Sequence, residues 1–461
     1  MSTPLPDGFV VRLHHDVVVG PVVTRGARVL RLSSAGRDLL DGRDLEVTSP
    51  TTAALAGRLL DLDLAVPVLD EVGSGSPADL TIVVPVRDRP DGVDRLLAEL
   101  APVVRCIVVD DASRDADALA RAVRPHGAAL VRLDDNMGPA AARNRGLRDV
   151  STPFVAFIDS DVQVAASDLL RLLAHFADPA LAAVAPRVRS RGGRLWFEQY
   201  EDAAGSLDLG STSATVRAWS PVAYVPSACL LARVDAIGAG FDEELRSGED
   251  VDLVWRLLDD GRRVRHASEV DAWHDGRTLV RTWLGRKAFY GSSAASLARR
   301  HGERVAPAVL TWSSAGLIGS FLAPRRLLAP AVGLAVARQW RAVSADLPGI
   351  DARTRARVAA AGATVTARQA TDLTLRHWWP VSLVAATASR RVRGIVAVMA
   401  VADGLLARSR AETRLDPVRF VAARRADDLA YGAGVWWAAW RDRSVRSLLP
   451  RWLPTRRQAR P

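Results

Sequence analysis

Lysine is almost missing from this chain. Lys287 is the single one among 62 basic side chains, so nearly all of the cationic charge is arginine, a bias of the kind a GC-rich genome imposes. Cysteine is nearly as scarce: Cys106 and Cys229 both lie in apolar, strand-like runs. Two such residues exclude a disulfide framework and are expected to be buried free thiols, as in a reducing compartment. No basic n-region followed by an apolar h-region opens the chain, so no secretory signal is expected and a cytoplasmic location is. Clean apolar runs of membrane-spanning length are also lacking. Val305 to Pro324 carries no charge, but its prolines, serines and threonine make a poor span. Leu327 to Ala337 is too short, and Pro380 to Ala400 is interrupted by Arg390-Arg391-Val392-Arg393.

What is present describes a globular protein. The 461 residues are 49% hydrophobic and 25% charged, enough for a real core and for two or three domains. The net charge of +10 favours polyanions: nucleotide diphosphates, anionic lipid headgroups or nucleic acid. The basic residues are dispersed and carry no nucleic-acid-binding signature, so no nucleic-acid partner is expected.

Three textures follow one another. Residues 1–76 read as a small winged-helix-like α+β module. Strands are expected at Phe9–Leu13, Val17–Val19 and Arg28–Leu32, and helices behind the caps Ser33 and Ser49. Gly73-Ser74-Gly75-Ser76-Pro77 is the expected joint. Residues 77–290 alternate strand and helix. Leu80–Pro85 reads as a continuous apolar strand, Val103–Val109 as a buried one and Ala128–Leu133 as a third, with helices at Val93–Leu100 and Asp117–Val123 between them. That alternation implies βαβ crossovers and a parallel sheet whose ligands bind at the carboxyl ends of the strands. Residues 291–461 read as a helical region. Its arginine-flanked apolar stretches and Trp378, Trp379, Trp436, Trp437 and Trp440 suit a membrane surface, and each tryptophan equally suits a core.

Four segments of the middle region carry chemistry, each at or near a strand end. In Val84-Pro85-Val86-Arg87-Asp88-Arg89-Pro90, Pro85 ends the strand and leaves backbone N–H groups and Arg87 at the rim. In Val109-Asp110-Asp111-Ala112-Ser113, a carboxylate can accept from a uracil imide or a ribose hydroxyl. In Asn136-Met137-Gly138-Pro139-Ala140-Ala141-Ala142-Arg143-Asn144-Arg145-Gly146, Gly138 permits a tight turn and the helix after it aims Arg143 at phosphate. The last is Asp159-Ser160-Asp161, after the apolar run Phe154–Ile158; two carboxylates there suit a hard divalent cation that also holds a diphosphate. The D-x-D pattern alone is weak, since it recurs at Asp61, Asp115 and Asp250.

In this order the four segments resemble a family 2 glycosyltransferase with the GT-A fold, a Rossmann-like nucleotide-sugar domain, over about residues 79–290. The resemblance implies a nucleotide-diphosphate sugar donor, held through Pro85, Arg87, Asp110, Asp111, Arg143, Asp159 and Ser160. It implies Mn²⁺ or Mg²⁺ on Asp159, Asp161 and His274, and inversion at the anomeric carbon. Ser247-Gly248-Glu249-Asp250-Val251-Asp252-Leu253-Val254-Trp255 resembles the family's acidic acceptor motif, which makes Asp250 the general base and places Glu249 and Trp255 at the acceptor. Arg31 to Gly42, after a strand pair, resembles the small modules of ribosomal-peptide modification systems that bind a leader peptide by strand addition. With Tyr224–Leu231, Arg414–Phe420 and Asp427–Trp436, the whole chain is similar to transferases of a peptide-derived redox cofactor pathway. That likeness implies UDP-glucose as donor and a peptide-derived precursor as acceptor.

The alternatives are a glycosidase, a binding scaffold and a membrane-associated polysaccharide or glycolipid transferase. A glycosidase also pairs carboxylates but needs no nucleotide-type strand ends. A scaffold needs no base. A membrane-spanning polysaccharide synthase needs several clean spans.

Overall fold

The computed structural model describes residues 3–40, 42–69, 73–276 and 279–453. Asp41, inside the peptide-module resemblance, and the tail 454–461 of the C-terminal region lie outside the described residues. The chain divides into two compact units, Met1–Leu13 with Gly42–Thr278 and His14–Asp41 with Leu279–Pro461, so the first 76 residues contribute to both.

In the first unit, β1 (Val10–Leu13), β2 (Asp44–Glu46) and β3 (Ala65–Val68) form an antiparallel sheet in the order β2–β1–β3. Helix α1 (Pro50–Asp61) precedes β3. Ser49 caps it: its hydroxyl accepts from Thr52 N–H at 3.3 Å while Thr52 Oγ1 accepts from Ser49 N–H at 2.9 Å, a reciprocal box that satisfies two otherwise orphaned donors. The end of α1 and the turn after it are tied to the larger sheet. Arg263 donates to Asp61 (2.6 Å), to Asp178 (3.1 Å) and to the Gly57 carbonyl (3.3 Å), and Asp63 accepts from Thr215 N–H at 3.0 Å.

The larger sheet opens with β4 (Leu80–Val86), every residue of which is buried. A strand covered on both faces must be continuously apolar, and this one is, apart from Thr81, whose hydroxyl accepts from Thr152 at 2.8 Å. Then come α2 (Pro90–Leu100), β5 (Arg105–Asp110), α3 (Ala116–Val123), β6 (Ala129–Arg132), α4 (Pro139–Leu147) and β7 (Phe154–Ile158). The second half adds β8 (Val162–Gln163), α5 (Ala166–Leu173), β9 (Leu181–Ser190), α6 (Trp196–Ala204), β10 (Ala214–Thr215), β11 (Cys229–Arg233), α7 (Glu249–Asp259) and β12 (Arg263–His274). The order is β8–β12–β9–β11–β7–β4–β5–β6, with β10 on β12. Strands β7, β4, β5 and β6 run parallel, and β11 is antiparallel to both β7 and β9. Chain order reverses direction between β4 and β7, which opens a crevice at their carboxyl ends. Helix α4 lies close on β4 and β5: a Cβ at Gly146 would stand 2.4 Å from Val83 Cγ1. Both cysteines are free and buried, and burial pushes the Cys106 thiol up to about 12.

In the second unit, Val18–Val19, Val23–Arg25 and Arg28–Leu30 form an antiparallel meander, followed by a short helix, Ser34–Asp38, capped by Ser33. Most of its other described residues are helical: α8 (Val280–Gly291), α9 (Ala294–His301), α10 (Trp312–Ser320), α11 (Leu328–Asp346), α12 (Ala352–Asp372), α13 (Trp379–Ala388), α14 (Arg390–Arg410) and α15 (Pro417–Arg441). Among the described residues, no helix is long and apolar enough to cross a membrane. The uncharged run 305–324 is broken into a two-residue strand, Val309–Leu310, and the nine residues of α10.

Helices α8 and α15 cross at backbone distance. A Cβ on Gly434 would sit 1.9 Å from the Ala288 carbonyl oxygen, and one on Gly432 would sit 2.0 Å from that of Arg376. Beside this crossing the only lysine, Lys287, is buried against Asp427 at 3.1 Å. Gly434→Ala is expected to force the helices apart and destabilise the protein by about 2 kcal/mol or more. Chemical denaturation monitored by tryptophan fluorescence measures it, and an unchanged midpoint would contradict the packing described.

Candidate active site

At the carboxyl ends of β4 and β7 several of the residues named from sequence make contacts with one another. The chain leaves β7 through Asp159, whose N–H donates to the Ala228 carbonyl at 2.9 Å. Asp159 Oδ1 accepts from Arg143 Nη2 at 2.6 Å, and Arg143 Nη1 donates to Glu249 Oε1 at 3.0 Å. One guanidinium therefore joins the D-x-D turn to the first residue of α7. Arg143 is buried; its Cζ lies 5.2 Å from the centroid of Phe241, which meets Phe157 edge-to-face at 5.0 Å. With both terminal nitrogens occupied and the side chain 3% exposed, Arg143 positions carboxylates in this structure rather than reaching into the crevice. Burial pushes the Asp159 carboxyl upward, Arg143 opposes this, and the Asp161 and Glu249 charges add to it.

Asp250 follows Glu249 in the first turn of α7. Desolvation, and secondly the Glu249 charge, push its carboxyl up from 3.8 to about 7. The Val251 and Ser227 amides and the Arg143 cation offset only part of this. Trp255, one turn further on, is buried and donates its indole N–H to the Ala223 carbonyl at 2.9 Å, fixing the segment that leads through Ser227 into β11.

Asp161 Oδ2 lies 3.4 Å from His274 Nε2 and 3.6 Å from Arg89 Nη1. Backbone pairing sets this meeting, since β8 and β12 register Val162 opposite His274 and the Asp161 carbonyl accepts from Asp275 N–H at 2.8 Å. Among the described residues no three His, Cys, Asp or Glu side chains converge as a metal cage. Asp161 and His274 still offer one oxygen and one nitrogen side by side. Such a sparse set suits a Mg²⁺ or Mn²⁺ ion that keeps water and takes its other ligands from a diphosphate. Ser160, between the two acids in sequence, is buried.

Asp110 and Asp111 are used within the protein. Asp110 accepts from Ser113 N–H at 2.8 Å and pairs with Arg132. Asp111 accepts from the N–H groups of Met137 (2.7 Å) and Gly138 (2.9 Å), pinning the entry to α4. Gly138 has φ +94°, a backbone that side-chain-bearing residues rarely adopt. With its amide turned so that the NH₂ donates to Asp111 (2.8 Å) and the oxygen accepts from Arg87 (2.6 Å), the orientation its neighbours require, Asn136 bridges the two and holds the exposed Arg87 at the rim beyond Pro85.

Sequence reasoning missed Asn144, whose amide clamps Phe241 through its N–H and its carbonyl (both 2.8 Å) and so seats the ring under Arg143. It also missed Arg89 beside Asp161 and Arg246, which stands over Gly138. For Asn144 and Arg89 the signal was there, since both lie inside motifs already singled out.

The fold is that of a glycosyltransferase of the GT-A type. A model of glycosyl transferase family 2 matches residues 81–239. Two Mycobacterium tuberculosis proteins named pre-mycofactocin glycosyltransferase, from strains CDC 1551 and H37Rv, are 41% identical over 475 residues, covering 97% of this chain and 99% of each relative. The Rhizobium meliloti succinoglycan biosynthesis protein ExoU is 26% identical over 208 residues, 42% of this chain and 60% of that protein. A mannosyltransferase of Pyrobaculum calidifontis, solved with GDP-Man and Mn²⁺, superposes with TM-score 0.38 at 16% identity over 77% of this chain and 89% of its own. The chain belongs to glycosyl transferase family 2 and is a glycosyltransferase.

Proposed function

We propose that the chain is a metal-dependent, inverting hexosyltransferase that moves glucose from UDP-glucose to a peptide-derived mycofactocin precursor and then extends the sugar chain. The pathway and acceptor rest on the name carried by the 41%-identical relatives. The chemistry rests on one observation: the Asp159–Arg143–Glu249 bridge sets the D-x-D turn beside Asp250, a carboxylate held near neutral.

A carboxylate with its midpoint near 7 suits a general base, because it is substantially ionised at working pH and still basic enough to take a proton. Asp250 accepts the acceptor hydroxyl proton as that oxygen bonds to the anomeric carbon. The bond from that carbon to the nucleoside diphosphate breaks, and attack from the face opposite the leaving group inverts the centre. Asp161 and His274, with Asp159 nearby, would hold the divalent ion, which when bound neutralises charge on the departing diphosphate. Arg87 and Arg246 at the rim present further positive charge to the phosphates, and Ser160 supports the turn. Asp110 and Asp111 serve the donor by shaping the loops around it. Glu249 and Trp255 frame the acceptor side.

In the same reading residues 1–76 recognise the peptide portion. The edge strand Val18–Val19, both valines exposed, supports strand addition.

A donor screen tests the proposal. Purified protein with Mn²⁺ is expected to release nucleotide from UDP-glucose in preference to UDP-galactose and GDP-mannose when a peptide-derived acceptor is supplied. Asp161→Ala is expected to lower Mn²⁺-dependent turnover by about a hundredfold or more and to weaken Mn²⁺-dependent UDP binding in calorimetry. Undiminished turnover in that variant would remove Asp161 from the role, and silence with every donor would leave a binding scaffold.

A further inference from the structure

The helical unit buries far less than its length should allow. Of the 19 residues of α11 only Ala335 is buried, of the 21 of α14 only Gly404, and of the 10 of α13 none. The uncovered side chains are large and apolar: Phe321 is 52% exposed, Leu322 61% and Val384 70%. The two stretches meet at one point: Arg391 Nη2 at the start of α14 donates to the Phe321 carbonyl at 3.0 Å, which joins the turn after α10 to the α13–α14 junction.

The charge around this corner has one sign. Residues 304–345 and 373–402 contain no aspartate or glutamate, while Arg325, Arg326 and Arg390 are exposed within them. An apolar helix as short as α13 is either a core helix or an interfacial one. With none of its residues buried, α13 is not a core helix. Its exposed large side chains, Val381, Leu383 and Val384, are all apolar, and arginines follow it immediately. A second copy docked through the same patch would bring two basic surfaces together with no acidic residue from these stretches between them, because a two-fold interface repeats one surface on both sides.

We propose that the corner formed by Phe321–Leu327, α13 and the first turn of α14 is a docking surface for anionic lipid. Its apolar side chains enter the boundary between headgroups and acyl chains, and Arg325, Arg326 and Arg390 lie among the lipid phosphates. The attachment is peripheral.

Flotation of the full chain with vesicles tests this, using phosphatidylcholine alone or mixed with phosphatidylglycerol. Binding is expected only to the phosphatidylglycerol vesicles, weaker at about 0.5 M salt than at about 0.1 M. Joint replacement Arg325→Ser and Arg326→Ser is expected to lower binding by about fivefold per arginine. Leu322→Asp with Val384→Asp is expected to abolish it; both positions are exposed, so thermal unfolding should be unchanged. Failure of the wild-type protein to float, or flotation of the aspartate pair as strong as wild type, overturns the proposal. So does a soluble dimer in sedimentation velocity that the aspartate pair converts to monomer while neither form binds vesicles, because the patch would then face a second copy.

Discussion

Replacing Asp250 with asparagine is expected to cut kcat/KM by about two to four orders of magnitude, the usual contribution of a positioned base. The wild-type profile should show why. A base works only when ionised, so with its midpoint at about 7, kcat/KM should rise with pH up to about 7 and level off above it. The asparagine variant should lose this limb and keep its residual rate nearly flat. Stability should move the other way. A carboxyl raised from 3.8 to about 7 binds its proton more tightly when folded, so its contribution is fully present below 3.8 and is lost as pH climbs through 7. At pH 8 the wild-type protein therefore carries a poorly solvated charge beside Glu249, and Asp250→Asn should melt a few degrees higher while turning over far more slowly. Calorimetry and initial rates on one preparation measure both. An asparagine enzyme within about threefold of wild type would show that Asp250 is not the base.

The strands that carry the site were legible because a doubly covered parallel sheet writes itself as unbroken apolar runs. Phe154–Ile158 and Leu80–Val86 could be read almost residue by residue, and caps such as Ser33 and Ser49 marked the starts of their helices. The short strands Asp44–Glu46 and Ala65–Val68 were not legible, because three or four residues hold no period and their pairing with Val10–Leu13 is non-local. Strand β12 hid for another reason. Arg263, Arg265, His266, Glu269 and Asp271 interrupt it, and Arg263 and Arg265 are tolerated inside because Asp178 pairs with both and Asp61 adds a second carboxylate to Arg263. The fate of each site carboxylate was the least legible part. Asp110, Asp111, Asp159 and Asp161 all stand at strand ends, where an acid can serve a ligand or its own backbone. Only the fold shows that Asp111 spends both oxygens on the turn into α4, whereas Asp161 faces His274 and Arg89. Spacing along the chain locates such groups but says nothing about which way loops from elsewhere approach them.

Arg143 is where this difference matters most. Taken as a phosphate ligand at the crevice, it could be removed at a cost in turnover and little in stability. Taken as the buried link between Asp159 and Glu249, it cannot. Arg143→Met keeps the length and the apolar stem against Phe241 but leaves two carboxylates facing each other without a cation. Breaking a buried ion pair on one side costs about 3 to 5 kcal/mol, so a loss of this order is expected in urea unfolding at pH 8. The loss should shrink as pH falls, because Asp159, whose carboxyl is already pushed upward, can then take a proton and stop repelling Glu249. Adding Glu249→Gln to Arg143→Met should recover part of the stability, and the non-additivity measures the coupling across the bridge. Turnover should not return with it, because the D-x-D turn and the first turn of α7 would remain unlinked. A stable, pH-insensitive Arg143→Met protein that had merely lost affinity for UDP would reverse the assignment and make Arg143 a phosphate ligand after all.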